Sequence, residues 1–248
     1  MVKLLICDWN RTLCRDYFEE GYFGGICWRV FFRALVEGDV ARCLSLMRVG
    51  VKCYRLFWRA MWHHDRALDY IEQITELINE GVISGLGLRF VDEFTARYAR
   101  RTARKLDGRI LGPMREARER FGLRVGVISS GSRRGIERAM AEAGCGADFV
   151  LANDFIVASG AVAGLALRIM RNKADVLDDL LAREGLDPAD VMYVGDSRHD
   201  EECLRRVGWP VVSFLARKKD KPLFARRCGA FVPEKADDFR RHLFEACS

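Results

Sequence analysis

An apolar hexapeptide opens the chain: Val2–Cys7, broken only by Lys3 and ending at Asp8. So short a strand cannot bury itself, so it needs neighbours in a sheet. The next comparable run, "LRVGVIS", arrives only at residues 123 to 129. The first strand therefore joins a sheet whose other members lie far along the chain, and everything between is an insertion.

The later part of the chain alternates strand and helix patterns. After "LRVGVIS" comes "SRRGIERAMAEAG", where Ile136, Ala139, Met140 and Ala143 share one helical face and Gly144 is a stop signal. "ADFVLA" reads as a strand, and "DFIVASGAVAGLAL" as two extended pieces turning at Ser159-Gly160. "NKADVLDDLLAREG" reads as a helix, "DVMYVGD" as a strand running into Asp196, and "RHDEECLRRVG" as a helix. "PVVSF" and "CGAFV" read as strands, and "KADDFRRHLFE" as a closing helix. Such alternation predicts an α/β fold: a Rossmann-like, three-layer parallel-sheet core covered on both faces.

Residues 14 to 108 break the alternation. They carry almost no strand signal and several amphipathic helical segments, with plausible breaks at Gly24-Gly25, at Gly38 and over 81 to 87. The expectation is a core of residues 1–13 and 109–248, with an all-helical cap, 14–108, inserted after the first strand. The 248 residues suffice for one large core plus a smaller domain. Half are apolar and 31% are charged, a balance ordinary for a globular chain. There is no run of 18 apolar residues and no basic segment with a small-residue cleavage site, so the expected location is the cytoplasm, without stable membrane insertion. The nine cysteines have irregular spacing and no CxxC, which argues against a zinc knuckle. Cys7, inside an apolar strand, reads as core, and most of the thiols read as reduced.

In open α/β sheets ligands bind beyond the carboxyl ends of the strands. Three chemically suggestive stretches fall there. Asp8 ends the first strand, "SSG" (129 to 131) the second, and "GDSRHD" follows a later one with Asp196 and Asp200. Lys173 lies before the helix that precedes that strand. Asp8, Asp196 and Asp200 suit a hard cation such as Mg²⁺, bound through oxygen ligands. Ser129 and Lys173 suit phosphoryl oxygens, and Lys173 also offsets the repulsion of clustered carboxylates. Singly, each is an ordinary cap, turn former or surface charge; their co-occurrence and order carry the signal.

That order resembles the haloacid dehalogenase-like superfamily, in its phosphatase branch. "DWNRT" resembles the first motif, with Asp8 as nucleophile and Thr12 retained. "VGVISSG" resembles the second, with Ser129. "RNKADVLDDLL" supplies the third-motif Lys173, and "GDSRHD" the fourth, with Asp196 and Asp200. "ADFVLANDFIVASGAVAG" is similar to the segment that precedes the lysine in phosphoserine-phosphatase-like members, though no counterpart of their amino-acid-gripping cap residues is found. The resemblance implies a two-step hydrolysis of a small phosphorylated substrate through an aspartyl-phosphate on Asp8. It implies Mg²⁺ held by Asp8, Asp196 and the backbone carbonyl of Asn10, with Asp200 positioning the metal directly or through water. Ser129 and Lys173 would hold the phosphoryl group.

Asn10 departs from the family pattern, where an aspartate two residues after the nucleophile protonates the leaving oxygen and then activates water. An amide exchanges no proton at neutral pH, although it still donates and accepts hydrogen bonds. Three readings stay open: a natural phosphatase that is slow or borrows a donor from the cap, an Asp-to-Asn trapping variant, and a phospho-ligand binder that has lost hydrolysis. Lys173, Asp196 and Asp200 keep the metal and phosphoryl pattern, which disfavours dehalogenation. His199, beside Asp200, reads as a surface residue.

The net charge is +6, which favours anionic partners. Residues 26 to 64 hold seven Lys or Arg against Glu37 and Asp39, together with Trp28, Phe31, Phe32, Tyr54, Phe57, Trp58 and Trp62. This mixture fits a nucleotide-like anion, a membrane surface, or an apolar face packing the cap with its arginines in water. No nucleic-acid reader motif is present, so no specific nucleic acid is expected. Glu19, Glu20 and Arg33 are candidate substrate contacts by their place near the cap entry.

Overall fold

In the computed structural model, which describes residues 1–15, 18–63, 66–169 and 172–248 (the backbone alone for 18–21, 67 and 68), the opening strand β1 (Leu4–Cys7) sits inside a sheet. It runs parallel to β2 (Arg124–Ser132) on one side and to β5 (Val191–Gly195) on the other, with Cys7 opposite Val127 and Val194. β3 (Phe149–Ala158) extends the sheet beyond β2, and β6 (Trp209–Val212) beyond β5. With β4 (Ala161–Ala166), antiparallel to β3, the order is β4-β3-β2-β1-β5-β6. The chain builds outward from β1 to β3 and then restarts on β1's other side. The reversal at β1 opens a crevice at the strands' carboxyl ends, where such sheets take ligands.

All four residues of β1 are buried, which explains why its sequence is continuously apolar rather than alternating. Leu4 and Ile6 join a core cluster with Tyr193 of β5, Leu177 of α7 (Lys173–Glu184), Leu204 of α8 (Glu201–Arg206) and Phe224 of α9 (Lys221–Cys228). Leu5 and Cys7 are equally buried on the opposite face. α5 (Gly108–Phe121) and α10 (Ala236–Cys247) pack together and bury Met114, Phe239 and Leu243. α6 (Arg133–Glu142) follows β2 and buries Ile136, Ala139 and Met140.

The chain divides into two compact units: Met1–Phe18, Ala99–Asn153 and Arg168–Ser248 in the first, Glu19–Tyr98 and Asp154–Leu167 in the second. The second holds α1 (Phe18–Val36), α2 (Val40–Trp62), α3 (Ala67–Ile78), a π-turn at Asn79–Ile83 and most of α4 (Leu88–Ala103). It also holds the outer half of the β3–β4 hairpin, a segment the sequence assigned to the core. Ser159 and Gly160 both adopt positive φ, 51° and 77°, the backbone of a tight two-residue hairpin turn. The Tyr22 hydroxyl lies 2.7 Å from Thr95 Oγ1, and its ring packs edge-on against Phe94 and Tyr98.

Three local expectations are corrected. Gly24-Gly25 does not break a helix but lies within α1. A Cβ on Gly25 would stand 2.8 Å from Phe94 Cζ, so this glycine admits a neighbouring ring rather than a turn. "CGAFV" is not a strand: only Phe231 bridges to Val211, because α9 runs through Cys228 and Pro233 follows. α9 itself, two turns long, is too short for its periodicity to be read. Finally, Trp28, Phe32, Tyr54, Phe57, Trp58 and Trp62 are exposed rather than packed inside the helical unit.

Candidate active site

Four side chains from three separate segments converge at the carboxyl ends of β1 and β5. Asp8 follows β1 directly, and its N–H donates to the Val194 carbonyl at 2.9 Å, which ties it to the neighbouring strand. Lys173 is the first residue of α7. Its ammonium donates to Asp8 Oδ1 at 2.7 Å and to Asp200 Oδ1 at 2.8 Å. Asp196 comes just after β5, and Asp200 closes the short turn Arg198–Asp200. Carboxylate oxygens of Asp8, Asp196 and Asp200 lie within 4.8 Å of one another, and all three residues are buried.

Asp200 is the most firmly held. Tyr193 Oη donates to its Oδ1 at 2.9 Å, and Ser197 Oγ to its Oδ2 at 2.9 Å. The backbone N–H groups of Asp196 and Ser197 also reach Oδ2, each at 3.2 Å. Gly195 makes this possible, because a Cβ there would fall 2.5 Å from Asp200 Cβ.

The charges do not balance. Burial raises the Asp8 carboxyl well above its ordinary range; Lys173 pulls it back and Asp200 pushes it further up. Burial likewise raises Asp196, with Asp8 and Asp200 adding to it and Arg11 opposing. Burial acts upward on Asp200 too, but Lys173 and the hydrogen bonds from Tyr193 and Ser197 outweigh it, so this carboxyl is lowered. Lys173 is raised: desolvation works against its charge, yet Asp200 and Asp8 prevail. Three buried carboxylates thus share one buried ammonium, with the Arg11 guanidinium 3.7 Å from Asp196. That surplus of negative charge on hard oxygen donors fits a divalent cation such as Mg²⁺.

The remaining predicted residues sit nearby in the same unit. Ser129 is fully buried two residues past Val127, the partner of Cys7, and its Oγ accepts the Gly131 N–H at 3.1 Å. Asn10 is half-buried in the turn after Asp8, which is closed by a bridge to Cys14. Thr12 is buried, and its hydroxyl has no hydrogen-bond partner among the described residues. His199 is exposed, as the sequence suggested. All nine cysteines are free thiols, Cys7 fully buried among them. In the helical unit Arg33 is exposed and pairs with Glu37 at 2.7 Å, whereas the side chains of Glu19 and Glu20 lie outside the described residues.

Three neighbours escaped the sequence reading. Tyr193 is a hydroxyl on a strand buried throughout, and that oddity was the available signal. Ser197 and Asp200 stand at capping-box spacing, which their sequence displays. Arg11 adopts φ 54°, donates to the Leu215 carbonyl at 2.7 Å and approaches Asp196; nothing local announces that contact.

Comparison with known proteins bears on the family and the fold. The family model described as haloacid dehalogenase-like hydrolase matches residues 5–205. A phosphoglycolate phosphatase from Synechococcus elongatus is 32% identical over 114 residues, which span 46% of this chain and about half of the relative (48%). A protein of unknown function from Bordetella pertussis Tohama I superposes with a TM-score of 0.64 at 15% identity, covering 94% of this chain and 99% of that one. A phosphoserine phosphatase in the form of a phospho-aspartyl intermediate analogue gives 0.59 at 18% identity, covering 98% of each chain. A cytosolic 5'-nucleotidase IIIB bound to cytidine gives 0.63 at 15% identity, covering 99% and 85%. At such identities the structures speak for the fold, while the family model covers most of the chain, site included: the chain belongs to the haloacid dehalogenase-like hydrolases.

Proposed function

We propose that the protein is a Mg²⁺-dependent phosphomonoesterase that acts on a small phosphorylated metabolite through an aspartyl-phosphate on Asp8. The observation that carries this reading is the Lys173 ammonium bridging Asp8 and Asp200 inside the three-carboxylate cluster. The helical unit, with residues 14–108 as its expected insertion, is the part that selects the substrate.

Lys173 engages Asp8 Oδ1 and so orients the carboxylate, leaving Oδ2 as the attacking atom. Attack forms the Oδ2–P bond and breaks the ester P–O bond, and the leaving oxygen takes up a proton from solvent water. Water then adds at phosphorus and the Asp8–P bond breaks, which releases inorganic phosphate and restores the carboxylate. Lys173 and the Ser129 hydroxyl hold the phosphoryl oxygens during both steps. Asp8, Asp196 and the Asn10 carbonyl would hold the Mg²⁺, with Asp200 keeping the set in place. When bound, the ion supplies electrostatic stabilisation of the charge on the transferring group.

Asn10 cannot supply the proton. Substrates with acidic leaving groups, such as aryl or acyl phosphates, therefore turn over best, and general acid–base help worth about 100- to 10,000-fold is forgone. The same residue favours a second reading, a phospho-ligand binder without hydrolysis. A reducing cytoplasm as the working compartment agrees with nine free cysteines.

The test is phosphate release from a panel of phosphate esters, aryl phosphates included. Release is expected to require Mg²⁺, to stop on chelation and to vanish in Asp8→Asn. Release that survives this substitution would sink the mechanism. Saturable binding of phosphorylated metabolites without release, seen by calorimetry, would favour the second reading.

A further inference from the structure

The helical unit shows an organised surface that phosphate chemistry does not use. α2 carries three parallel stripes, each stepping by three and four residues. One is buried or partly buried: Cys43, Leu46, Val49, Cys53, Leu56 and Ala60. That side packs along α3. One residue further round lies an apolar stripe facing solvent: Val40, Leu44, Met47, Val51, Tyr54 and Trp58. One further again lies a basic stripe, Arg48, Lys52, Arg55 and Arg59, also exposed. Trp62, 76% exposed, ends the helix. The 23 residues of α2 contain no Asp or Glu.

α1 repeats the design. Tyr22, Ile26, Val30 and Ala34 are buried on one side, and Trp28, Phe32, Leu35 and Val36 are exposed on the opposite one. Trp28 and Phe32 stack at 5.8 Å, and Tyr54 meets Trp58 edge-on at 6.1 Å, so these rings pair across the surface rather than reach inward. The two helices are joined by the short turn 37–39. Both helices thus expose an apolar, aromatic stripe to solvent, and on α2 the basic stripe lies beside it.

We propose that this α1–α2 face binds the surface of an anionic phospholipid bilayer, lying in the interface with its aromatic stripes in the headgroup region and its basic stripe on lipid phosphates. An apolar stripe rich in Trp and Tyr beside a Lys/Arg stripe is the make-up of an interfacial helix. Among the described residues no helix is long and apolar enough to cross a membrane, so the face lies on the bilayer. A second copy of the chain is the poorer occupant. Self-pairing through this face sets the four cations of the α2 stripe against four, with no acidic residue in α2 to answer them. Anionic lipid supplies the missing opposite charge.

The test is co-sedimentation of the intact protein with vesicles of phosphatidylcholine alone and of equal phosphatidylcholine and phosphatidylglycerol. Binding is expected at least about tenfold tighter to the anionic vesicles, weakened by 0.5 M salt, and accompanied by a blue shift of tryptophan emission. Trp28→Ser/Trp58→Ser/Trp62→Ser should abolish the shift, and Arg55→Glu/Arg59→Glu should weaken binding about tenfold or more, with far-UV circular dichroism unchanged in both. Failure to bind anionic vesicles, or equal binding to both kinds, overturns the proposal. So does a dimer in light scattering that dissociates in the Trp28→Ser/Trp58→Ser/Trp62→Ser variant, which would assign the face to a second copy.

Discussion

Lys173 is the residue on which the site's electrostatics turn. It is buried, and its ammonium is the partner of two buried carboxylates. Removing one member of such a group leaves uncompensated charge in a low dielectric, which costs far more than a surface ion pair is worth. Lys173→Met is therefore expected to destabilise the metal-free protein by about 3 to 5 kcal/mol in urea denaturation, besides abolishing phosphate release. A loss under about 1 kcal/mol would mean that the carboxylates had simply taken up protons. Asn10→Asp tests the other pivotal residue. Phosphate release from alkyl esters, which need a proton donor, should rise by about 100-fold, while aryl esters gain less. Both residues were legible in the sequence, Lys173 by its place in the motif order and Asn10 by its departure from it. Arg11 was not, because no local pattern encodes its contact with Asp196, whereas Tyr193 and Ser197 left faint signals, a hydroxyl in a buried strand and capping-box spacing, that do not by themselves point to Asp200.

At the level of elements, α1 separates what a glycine signals from what it does. Gly24-Gly25 reads as a breaker in sequence because glycine disfavours helix interiors. Tertiary packing overrides that preference, since α1 passes close to Phe94. The two glycines should then respond oppositely to alanine. A Cβ on Gly24 meets nothing within 4 Å, so Gly24→Ala should stabilise the protein by about 0.5 to 1 kcal/mol. A Cβ on Gly25 meets Phe94 at 2.8 Å, so Gly25→Ala should destabilise it by about 1 to 3 kcal/mol. Thermal unfolding of the pair decides this, and equal shifts would contradict the packing. The hairpin turn at Ser159-Gly160 shows the reverse case: its two residues alone announced a structure that formed as read, because a two-residue turn is a local event. The short α9 and the failed strand at "CGAFV" mark the lower limit, where too few residues exist for a period to show.

For the whole molecule, pH and metal should act together. The Asp8 and Asp196 carboxyls stand at about 7 and about 8 in the folded chain against 3.8 ordinarily. The folded state thus binds more protons than the unfolded one across that window, and the metal-free protein should lose stability as pH rises from about 4 to about 8. On the proposed function Mg²⁺ would replace those protons, so its stabilising effect should grow over the same range. At saturating Mg²⁺ the expected rise in melting temperature is about 5 °C or more at pH 8, and much smaller at pH 5.5. An equal shift at both pH values would show that the ion does not bind at these carboxylates. The sequence alone determined the α/β class, the joining of β1 to a sheet built far along the chain and the order of the site's segments, since burial on both faces of a parallel sheet and the crevice at strand ends leave direct marks on residue pattern. Only the tertiary structure decided which carboxylates share Lys173, that Tyr193 and Ser197 secure Asp200, and that the aromatics of α1 and α2 face solvent. Those outcomes depend on distances between segments far apart in the chain, and on which side of an amphipathic helix finds a partner, neither of which periodicity can specify.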